Sequence, residues 1–519
     1  MRLMIIAFAL VVPASTAFAT EQAVSEWVHQ GPQGKLIYKT TPRGDRIMDF
    51  SHAGYMGGGV VLPAVPVRRT VKPSGNDDTE AIQAAIKEVS ALPLENEFRG
   101  AILLEPGTFT ITRTIEISAG GVVLRGSGAE GESRSTLKMS GTPFLAVALR
   151  SSEERRPGQE SRPEVFEVQT TISDEYIASG SATFTVVDAT GFAPGDEVTL
   201  LKPVTPLWVE FMQMHDLVRD GRKQTWLSTN RLLRTERRIL SISGNRITVD
   251  VPLSDSFDSK YTHPPGTSVA KVKVRRRVTQ AGIEHLHIES PPQQISHSQP
   301  HFTAIRVNGE DCWLRNLVID ETMNSVGTSG RRITVERVVV NRKAPHLGAS
   351  RPAEFAPNGS QILIDRCEVN ADSVWFIGTG SGQSGPIVIL HCIFRGDGRA
   401  ESHQRWTTGM LYDNVQAPDG GIDFRNRGVM GSGHGWSMGW GVAWNCEAKD
   451  FIIQKPPGVY NWMIGCVGES KLAPRPFGSG PDLPEGIKDS HGKHVVPQSL
   501  YLAQLAERLG PQALKMIGY

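Results

Sequence analysis

Short apolar runs alternate with polar loops along the second half of the chain, and one apolar position returns throughout. It follows a polar pair in segments such as LRNLVI, VERVVV and IDRCEV, at intervals of 20 to 31 residues. Such intervals are typical of solenoids, in which each repeat stacks on the one before. Within the repeats, residues 333–340 and 362–369 show the period of two that predicts β-strands. The returning residues are Leu286, Leu317, Val338, Cys367, Cys392, Val415, Cys446 and Cys466.

This pattern predicts an all-β chain whose main body, residues 276–468, is a parallel β-helix. No helical periodicity fills the intervals, so each repeat is expected to be one coil of short strands. The repeat lapses over residues 151–275, where strand patterns and a hairpin signal at Gly244-Asn245 predict an inserted β subdomain. Its middle carries residues that would either wall a sugar-binding surface or form a local core: Trp208, Phe211, Met212, His215 and Trp226.

One helix is predicted on each side of the coils. Residues 20–150 hold a Gly- and Pro-rich lead-in, a helix that Asp77 or Asp78 can cap, and the first coils. Residues 469–519 form a tail, and its segment 497–510 is amphipathic, with Pro at the start and Gly after the end. We expect the first helix to cover one open end of the β-helix and the second to cap the other. The apolar stripe of the first helix is Ile82, Ala85, Ile86 and Val89.

The N-terminus and the charge bear on location and partners. Residues 1–19 match a secretory signal peptide, with Arg2 at the positive start, an apolar core and a small-x-small cleavage site at residues 17–19. No later stretch reaches the roughly 20 apolar residues of a membrane span. We therefore predict a secreted or periplasmic protein without a membrane span, and we expect a monomer. Because 55 Lys plus Arg balance 54 Asp plus Glu, nucleic acid is not expected as a partner.

Four of the five cysteines occupy the returning apolar position. Stacked coils lie about 4.8 Å apart, which brings adjacent cysteines near bridging distance. Side chains of one inward column point the same way, however, and their Cβ atoms lie further apart than a disulfide prefers. We expect buried free thiols that pack as small hydrophobic groups, with disulfides as the alternative. No CxxC pair is present, so a metal cluster is not expected.

Several segments are similar to a known superfamily. DDT-x-A-I-Q-x-A-I at residues 77–86, LLEPGTF at 103–109 and VVLRGSG at 122–128 resemble the opening of the pectate-lyase-like superfamily. HQRWTTGMLYDN, NRGVMGSGHGW and PPGVYNWMIGC resemble a bacterial subgroup of it, so the resemblance covers nearly all of the mature chain. It implies a right-handed parallel β-helix, secretion and activity on polysaccharides. The scaffold nevertheless hosts lyases, glycoside hydrolases, esterases and non-catalytic adhesins.

The chain departs from two patterns of that superfamily. GHGWSMG at residues 433–439 resembles one block of pectin-type glycoside hydrolases, but no Asp-Asp pair lies upstream of it in the coils and the RIK block is absent. Pectate lyases place several Asp residues on neighbouring coils to bind calcium. In this chain the Asp residues of the coils stand at irregular distances from the returning apolar position. No cofactor is predicted, and calcium is not supported. The scattered residues are Asp365, Asp372, Asp397, Asp413, Asp419 and Asp423.

Histidines and arginines concentrate over residues 403–455. His403 lies 12 residues before Val415 and His434 lies 12 before Cys446, so equal loops would stack both imidazoles on one face. Arg405 lies a similar distance before the returning position of its own repeat. The cluster is the densest in His, Arg and Asn in the chain. It also holds Arg425, Asn426, Arg427 and Lys455, with Trp406, Trp436, Trp440 and Trp462 around it.

This set suits β-elimination on a uronate sugar, in which a proton is removed next to a carboxylate. Arginines would hold the acid group, and one histidine would take the proton. The other histidine, Lys455 or Tyr412 would protonate the leaving oxygen. The predicted catalytic residues are His403, His434, Arg405 and Arg427, and the predicted substrate-binding residues are Arg425, Asn426, Trp436, Lys455, Arg351 and Tyr412.

Structural roles stay open beside these. His434 in its GHG turn can be structural, and the asparagines before the returning position, Asn316, Asn414 and Asn445, suit a stacked ladder of turns. The tryptophans within strand runs, Trp375 and Trp444, suit packing. Arginines outside the cluster would either extend the site or lie on solvated surface; these are Arg331, Arg332 and Arg351.

We predict a secreted polysaccharide lyase acting on an acidic, uronate-containing polysaccharide or oligosaccharide. The first alternative is a glycoside hydrolase on the same scaffold, which needs two carboxylates flanking the scissile bond. The second is a non-catalytic carbohydrate-binding β-helix protein. The carboxylates nearest the cluster are Glu401, Asp413, Asp419 and Asp423.

Overall fold

The computed structural model describes residues 23–151, 166–272, 277–477 and 480–519. The predicted signal peptide, residues 1–19, lies outside these ranges. The largest element is a 26-stranded sheet whose strands pair in parallel from coil to coil. Among the described residues, no helix combines the length and the apolar character that a membrane crossing requires.

Each coil contains three strand segments, which we call faces A, B and C in chain order. Register links each face to the same face of the next coil: Ile362 pairs with Ile387 on face A, and Glu368 with Ile393 on face B. This stacking confirms the predicted parallel β-helix. Its right-handed sense stays a prediction, in line with the usual hand of parallel crossovers.

The strands of the three faces have the following bounds. Face A contains Val67–Val71, Gly100–Leu104, Val122–Gly126, Ser360–Asp365, Ser384–Leu390, Thr407–Asp413, Met438–Gly439, Val442–Trp444, Trp462–Ile464 and Ile487–Asp489. Face B contains Gly107–Ile111, Ser135–Met139, Glu368–Ala371 and Ile393–Arg395, and face C contains Ile115–Ile117, Leu145–Leu149, Ala353–Pro357, Trp375–Gly378 and Arg399–Glu401. Strands that run through more than one face are Gly282–Glu289, Thr303–Asp320, Val326–Arg342, Gln416–Phe424, Glu447–Ile453 and Val467–Ser470.

The returning apolar column is confirmed in register. Leu286 pairs with Leu317, and Leu317 pairs with Val338; the residues one position later then pair from coil to coil as far as Val467. The column is buried inside the coil. The residue before each column member has a left-handed backbone, with φ 51° at Asn316 and 50° at Asn445. Because this conformation turns the chain sharply, the column marks the corner between faces A and B.

All five cysteines are free and buried, which confirms the prediction of free thiols. Within the column, the backbone N–H of Val338 donates to Cys367 Sγ, and that of Cys367 donates to Cys392 Sγ, both at 3.4 Å. The sulfurs therefore act as core atoms that also accept weak hydrogen bonds from the preceding coil.

Face A is buried on both sides. Ile387 and Ile389 belong to the core inside the coil, whereas Val388 and Leu390 belong to a second core outside it. Strands covered on both sides carry nearly continuous apolar runs, as in IVIL at residues 387–390. The outer layer consists of the N-terminal lead-in, the C-terminal tail and residues from 204 to 233.

The C-terminal helix does not cap the end of the β-helix, so that prediction is wrong. Helix Leu500–Leu509 lies along the corner between faces A and B, where Asp413 accepts hydrogen bonds from Ser499 Oγ at 2.7 Å and from the N–H of Tyr501 at 2.8 Å. After the short helix Gln512–Met516, Tyr519 donates to Asp365 two coils earlier, at 2.5 Å. The amphipathic tail lies here because face A offers an apolar outer surface.

The N-terminal lead-in covers the same side of the β-helix. Its strand Ala23–Val24 pairs in parallel with Val495–Val496, and Trp27 packs edge-on against Trp462 with ring centroids 5.5 Å apart. Helix Thr79–Ser90 buries its predicted stripe in the core of the first coils. Its role in covering the open end stays a prediction.

A six-stranded antiparallel sheet occupies residues 166–272, within a connection from face C to face A. The hairpin at Gly244-Asn245 is confirmed, with Gly244 at φ 59°. Trp208, Met212 and Trp226 lie in the outer core, which favours the local-core interpretation of that run. The strands are Phe166–Thr171, Thr183–Thr185, Glu197–Pro203, Leu232–Ser243, Arg246–Val249 and Ser268–Val272, with short helices Pro206–Phe211 and Ser259–Thr262.

We expect Asn445→Ala to lower the free energy of unfolding by roughly 2–4 kcal/mol, since alanine is strained in the left-handed region and leaves buried backbone groups unpaired. Asn445 Oδ1 accepts from the N–H of Val495 at 2.8 Å, and Nδ2 donates to the Val495 carbonyl at 2.9 Å. Asn445→Gly removes the same bonds but tolerates the backbone, so its loss should be smaller. Chemical denaturation measures both, and equal losses would exclude the backbone contribution.

Candidate active site

The candidate site lies on the outer surface of face C and the loops that border it. Glu401 ends the strand Arg399–Glu401, and His403 follows in the loop toward face A. On the next coil Asp423 pairs in register with Glu401. Buried residues separate the outward positions along both strands and the residues that follow them, so polar or charged side chains occupy every second position. These are Arg399, Glu401 and His403 on one coil, and Asp423, Arg425 and Arg427 on the next.

Glu401, His403 and Arg427 form a compact hydrogen-bonded group. Arg427 Nη1 lies 2.8 Å from Glu401 Oε1, 2.6 Å from the His403 carbonyl oxygen and 2.6 Å from His403 Nδ1. His403 Nδ1 lies 3.0 Å from Glu401 Oε1. Glu401 and Arg427 are both buried. One guanidinium nitrogen and one carboxylate oxygen thus fix the imidazole from the same side.

His403 Nδ1 contacts one group that can only accept and one that can only donate. In one tautomer Nδ1 donates to Glu401 Oε1 at 3.0 Å, and in the other it accepts from Arg427 Nη1 at 2.6 Å. The first tautomer leaves the lone pair on Nε2. Among the described residues it has no hydrogen-bond partner, and it is not sealed from solvent.

The charges around His403 suit a proton acceptor. Burial lowers the pKa of His403, and Arg427 lowers it further, whereas Glu401 raises it. The net effect is a lowered pKa, so the imidazole is neutral at neutral pH. Burial raises the pKa of Glu401, but Arg427 and the His403 hydrogen bond outweigh it, so the pKa lies below its usual range. A neutral imidazole held by an ionised carboxylate is the arrangement that general bases use.

His434 packs against His403. Their ring centroids lie 5.0 Å apart in an edge-on arrangement. Burial, then the neighbouring His403 and Arg427, lower the pKa of His434 to about 3, so this ring is neutral as well. Its Nδ1 is sealed and has no partner among the described residues, whereas Nε2 is not sealed. A buried unpaired donor costs more than a buried acceptor, so the proton belongs on Nε2, where it can donate to a ligand.

The arginines of the cluster differ in how far their hydrogen bonds are already used. Arg405 donates to the Ser432 carbonyl at 3.0 Å and to Ser432 Oγ at 2.5 Å, which ties it to the loop of His434. Arg399 pairs with Asp423 and with Asp450. Arg425 contacts Asp423 only at 4.0 Å. No closer polar contact of its side chain is found among the described residues, whereas the guanidinium groups of Arg427 and Arg405 already donate within the protein.

Several predicted substrate-binding residues are buried instead. Tyr412 lies in the core inside the coil, where burial raises the pKa of its hydroxyl. Asn426 is fully buried, and its Oδ1 accepts from the N–H of Gly428 at 2.8 Å. Trp436 donates from Nε1 to the Met212 carbonyl at 3.0 Å within the outer core. All three side chains are thus buried, because phase counting along the chain does not tell inward from outward positions.

The remaining predicted residues lie at the margins. Lys455 packs over the Tyr460 ring at 4.4 Å and shows no contact with His403 or His434. Arg351 lies 5.6 Å from the Trp375 ring, which in turn lies 5.4 Å from the His403 ring. Trp406, Trp440 and Trp462 are buried in the outer core and offer no face to a sugar.

Sequence reasoning missed Arg399 and the partnership of Glu401 with His403. The alternation R-x-E-x-H at residues 399–403, matched by D-x-R-x-R at 423–427, was the available signal, since period two places these side chains on one surface. Within the described ranges, no group of three or more His, Cys, Asp or Glu side chains is arranged to hold a metal ion.

Sequence comparison finds no matching protein family and no matching curated protein. Solved structures with similarity include the Gp54 tailspike of Acinetobacter baumannii bacteriophage AP22 in complex with capsular saccharide, at 12% identity, TM-score 0.36, and coverage of 76% of this chain and 61% of that one. The tailspike protein gp49 from Pseudomonas phage LKA1 gives 14% identity, TM-score 0.37, and 75% and 52% coverage. Polygalacturonase from Erwinia carotovora ssp. carotovora is 10% identical, with a TM-score of 0.33, and the match covers 85% of this chain and 96% of that one.

The chain thus spans 61% and 52% of the two tailspike chains. Overlaps at this level do not define a family, so the fold rests on the strand register and the function on the site itself.

We expect stability to fall as the pH drops from about 6.5 toward 4, in part because the unfolded chain protonates His434 while the folded chain does not. The depressed folded pKa means that the unfolded state binds more protons in this window, so acid favours unfolding. His434→Gln should flatten the slope. Denaturation midpoints across this pH range measure it, with the exposed His215→Gln as control; an unchanged slope in His434→Gln would refute the assignment.

Proposed function

We propose that this protein is a secreted polysaccharide lyase that cleaves an acidic, uronate-containing chain by β-elimination. The observation that supports it is the Glu401-oriented imidazole of His403, whose Nε2 is unpaired, beside a guanidinium, Arg425, that lacks a close partner. Export rests on the predicted signal peptide at residues 1–19. The substrate would lie across the outer surface of face C.

The reaction needs one proton acceptor and one way to hold negative charge. His403 Nε2 takes the proton from the ring carbon next to the carboxylate, and the electrons form a carbon–carbon double bond as the glycosidic carbon–oxygen bond breaks. The resulting imidazolium can return that proton to the leaving oxygen, which balances the step. Arg427 and Glu401 hold the ring throughout, so that Nε2 faces the substrate.

Charge develops on the substrate carboxylate when the proton leaves. Arg425 would pair with it through charge-assisted hydrogen bonds. His434 would donate from Nε2 as a neutral imidazole, since its low pKa keeps it uncharged. Both groups act on the oxygen atoms where the charge accumulates, which is where fixed donors lower the barrier most.

A glycoside hydrolase is the second candidate, because Glu401 and Asp423 pair in register on adjacent coils. Their pKa values move in opposite directions: burial raises that of Asp423, whereas that of Glu401 is lowered by Arg427 and His403. Such separation suits an acid and a base. Both carboxylates are buried in ion pairs, however: Asp423 pairs with Arg399, and Glu401 pairs with Arg427. Asp413, another of the carboxylates near the cluster, lies under the C-terminal tail, where it accepts a hydrogen bond from Ser499.

We expect His403→Gln to reduce turnover of acidic polysaccharide by roughly 10²–10⁴-fold, the usual contribution of a general base. Glu401→Gln should cause a smaller loss, because it frees the imidazole to adopt the other tautomer. Ultraviolet absorbance of unsaturated uronate measures elimination, and a reducing-sugar assay in parallel detects hydrolysis. The control is His215→Gln. Reducing ends without unsaturated product would identify the hydrolase instead, and full turnover in His403→Gln would refute the base.

We expect Arg425→Gln to raise KM for the acidic substrate roughly tenfold, the effect of losing one charge-assisted hydrogen bond. The methyl-esterified form of the same polysaccharide carries no carboxylate charge, so the substitution should barely affect its binding. Steady-state kinetics on both forms make the comparison. Equal losses on the charged and the esterified chain would contradict the assigned role.

A further inference from the structure

The opposite border of face C carries a second set of imidazoles. Residues 290–302 and 343–352 connect face B to face C, and we call them the histidine loops. They contain His297, His301 and His346. The ring centroid of His297 lies 5.5 Å from that of His346 and 6.5 Å from that of His301. The two loops therefore meet around His297.

Two of the three rings, those of His301 and His346, offer no open ring nitrogen. His301 contacts Asn324 Nδ2 through Nε2 at 3.0 Å and the Gln299 carbonyl through Nδ1 at 2.9 Å. Nε2 of His346 accepts from the backbone N–H of His297 at 2.9 Å, so its proton lies on Nδ1, which is sealed. Neither ring can bind a ligand without rearrangement.

His297 is the ring that stays open. Its Nε2 contacts Ser350 Oγ at 2.8 Å. Its Nδ1 has no partner among the described residues, and it is not one of the sealed polar atoms. Ser350 directly precedes Arg351 in the chain, so this contact places His297 at the Arg351 end of the second histidine loop.

Arg351 joins the histidine loops to the candidate active site. Its guanidinium is part-exposed, at 29%, and its contacts with Asp397 are long: 3.3 Å to the carbonyl and 3.7 Å to the carboxylate. It lies 5.6 Å from the Trp375 ring, and that ring lies 5.4 Å from His403. A single indole thus separates Arg351 from the imidazole that takes the proton.

We propose that Arg351 and His297 form a second subsite, which binds the uronate ring next to the one that His403 attacks. This inference rests on the proposed function. The guanidinium pairs with the carboxylate of that ring, and His297 Nδ1 bonds one of its hydroxyls. His301 and His346 are positioning residues that hold the loops around His297.

The test measures binding in the His403→Gln background by calorimetry, with galacturonate and mannuronate oligomers from dimer to hexamer as probes. Adding Arg351→Gln and His297→Ala should weaken binding of the longer oligomers roughly tenfold and leave dimer binding unchanged. Arg395→Gln, an exposed arginine on face B, is the matched control and should change neither. Melting temperatures confirm that each variant is folded.

Unchanged affinity at every length would overturn the subsite. So would an equal loss at every length, which would indicate that these residues act on the whole site. The proposed function fails separately, by full turnover in His403→Gln, whatever the binding data show. If none of these oligomers binds to the protein with Arg351 and His297 intact, both proposals fail for acidic chains.

Discussion

The corner between faces A and B is the constraint on which the rest of the molecule depends. One left-handed residue followed by one buried apolar residue recurs on successive coils, and it keeps the coils in register although their lengths differ by up to eleven residues, from 20 to 31. Because the strands cannot shift, every difference in length must appear in the connections. The long connections border face C, and that is where the side chains of the candidate active site lie.

The same constraint explains what the sequence could predict. The column from Leu286 to Cys466 repeats too regularly to be missed, and it gave the fold and the free cysteines. The position of the C-terminal helix was not predictable, because a strand such as residues 387–390 shows that both sides are buried without showing what covers the outer one. His403, His434 and Arg427, which the sequence analysis grouped, are neighbours in the structure. Asn426 alternates with Arg425 and Arg427 and is buried, which period two could have indicated, whereas no regular period applies to Trp436 within residues 428–437.

The electrostatics of the site come from pairing rather than from net charge, which is almost zero for the chain. Glu401 and Asp423 each hold an arginine, and those pairs set how the neighbouring groups titrate. Arg427 keeps Glu401 ionised, Glu401 orients His403, and His403 helps to keep His434 neutral. Removing any one of these groups would therefore alter the protonation of the next, so single substitutions here report on the network as well as on the residue.

The layer over face A has a consequence for how the chain matures. Coils can stack one by one as they emerge, but the cover over face A is complete only when the strand Val495–Val496 pairs with the strand Ala23–Val24. About 470 residues separate these two segments, so their pairing is a contact of very long sequence separation. Until then part of the apolar outer side of face A is exposed to solvent. A chain that is truncated before residue 495 is therefore expected to need a chaperone to prevent aggregation.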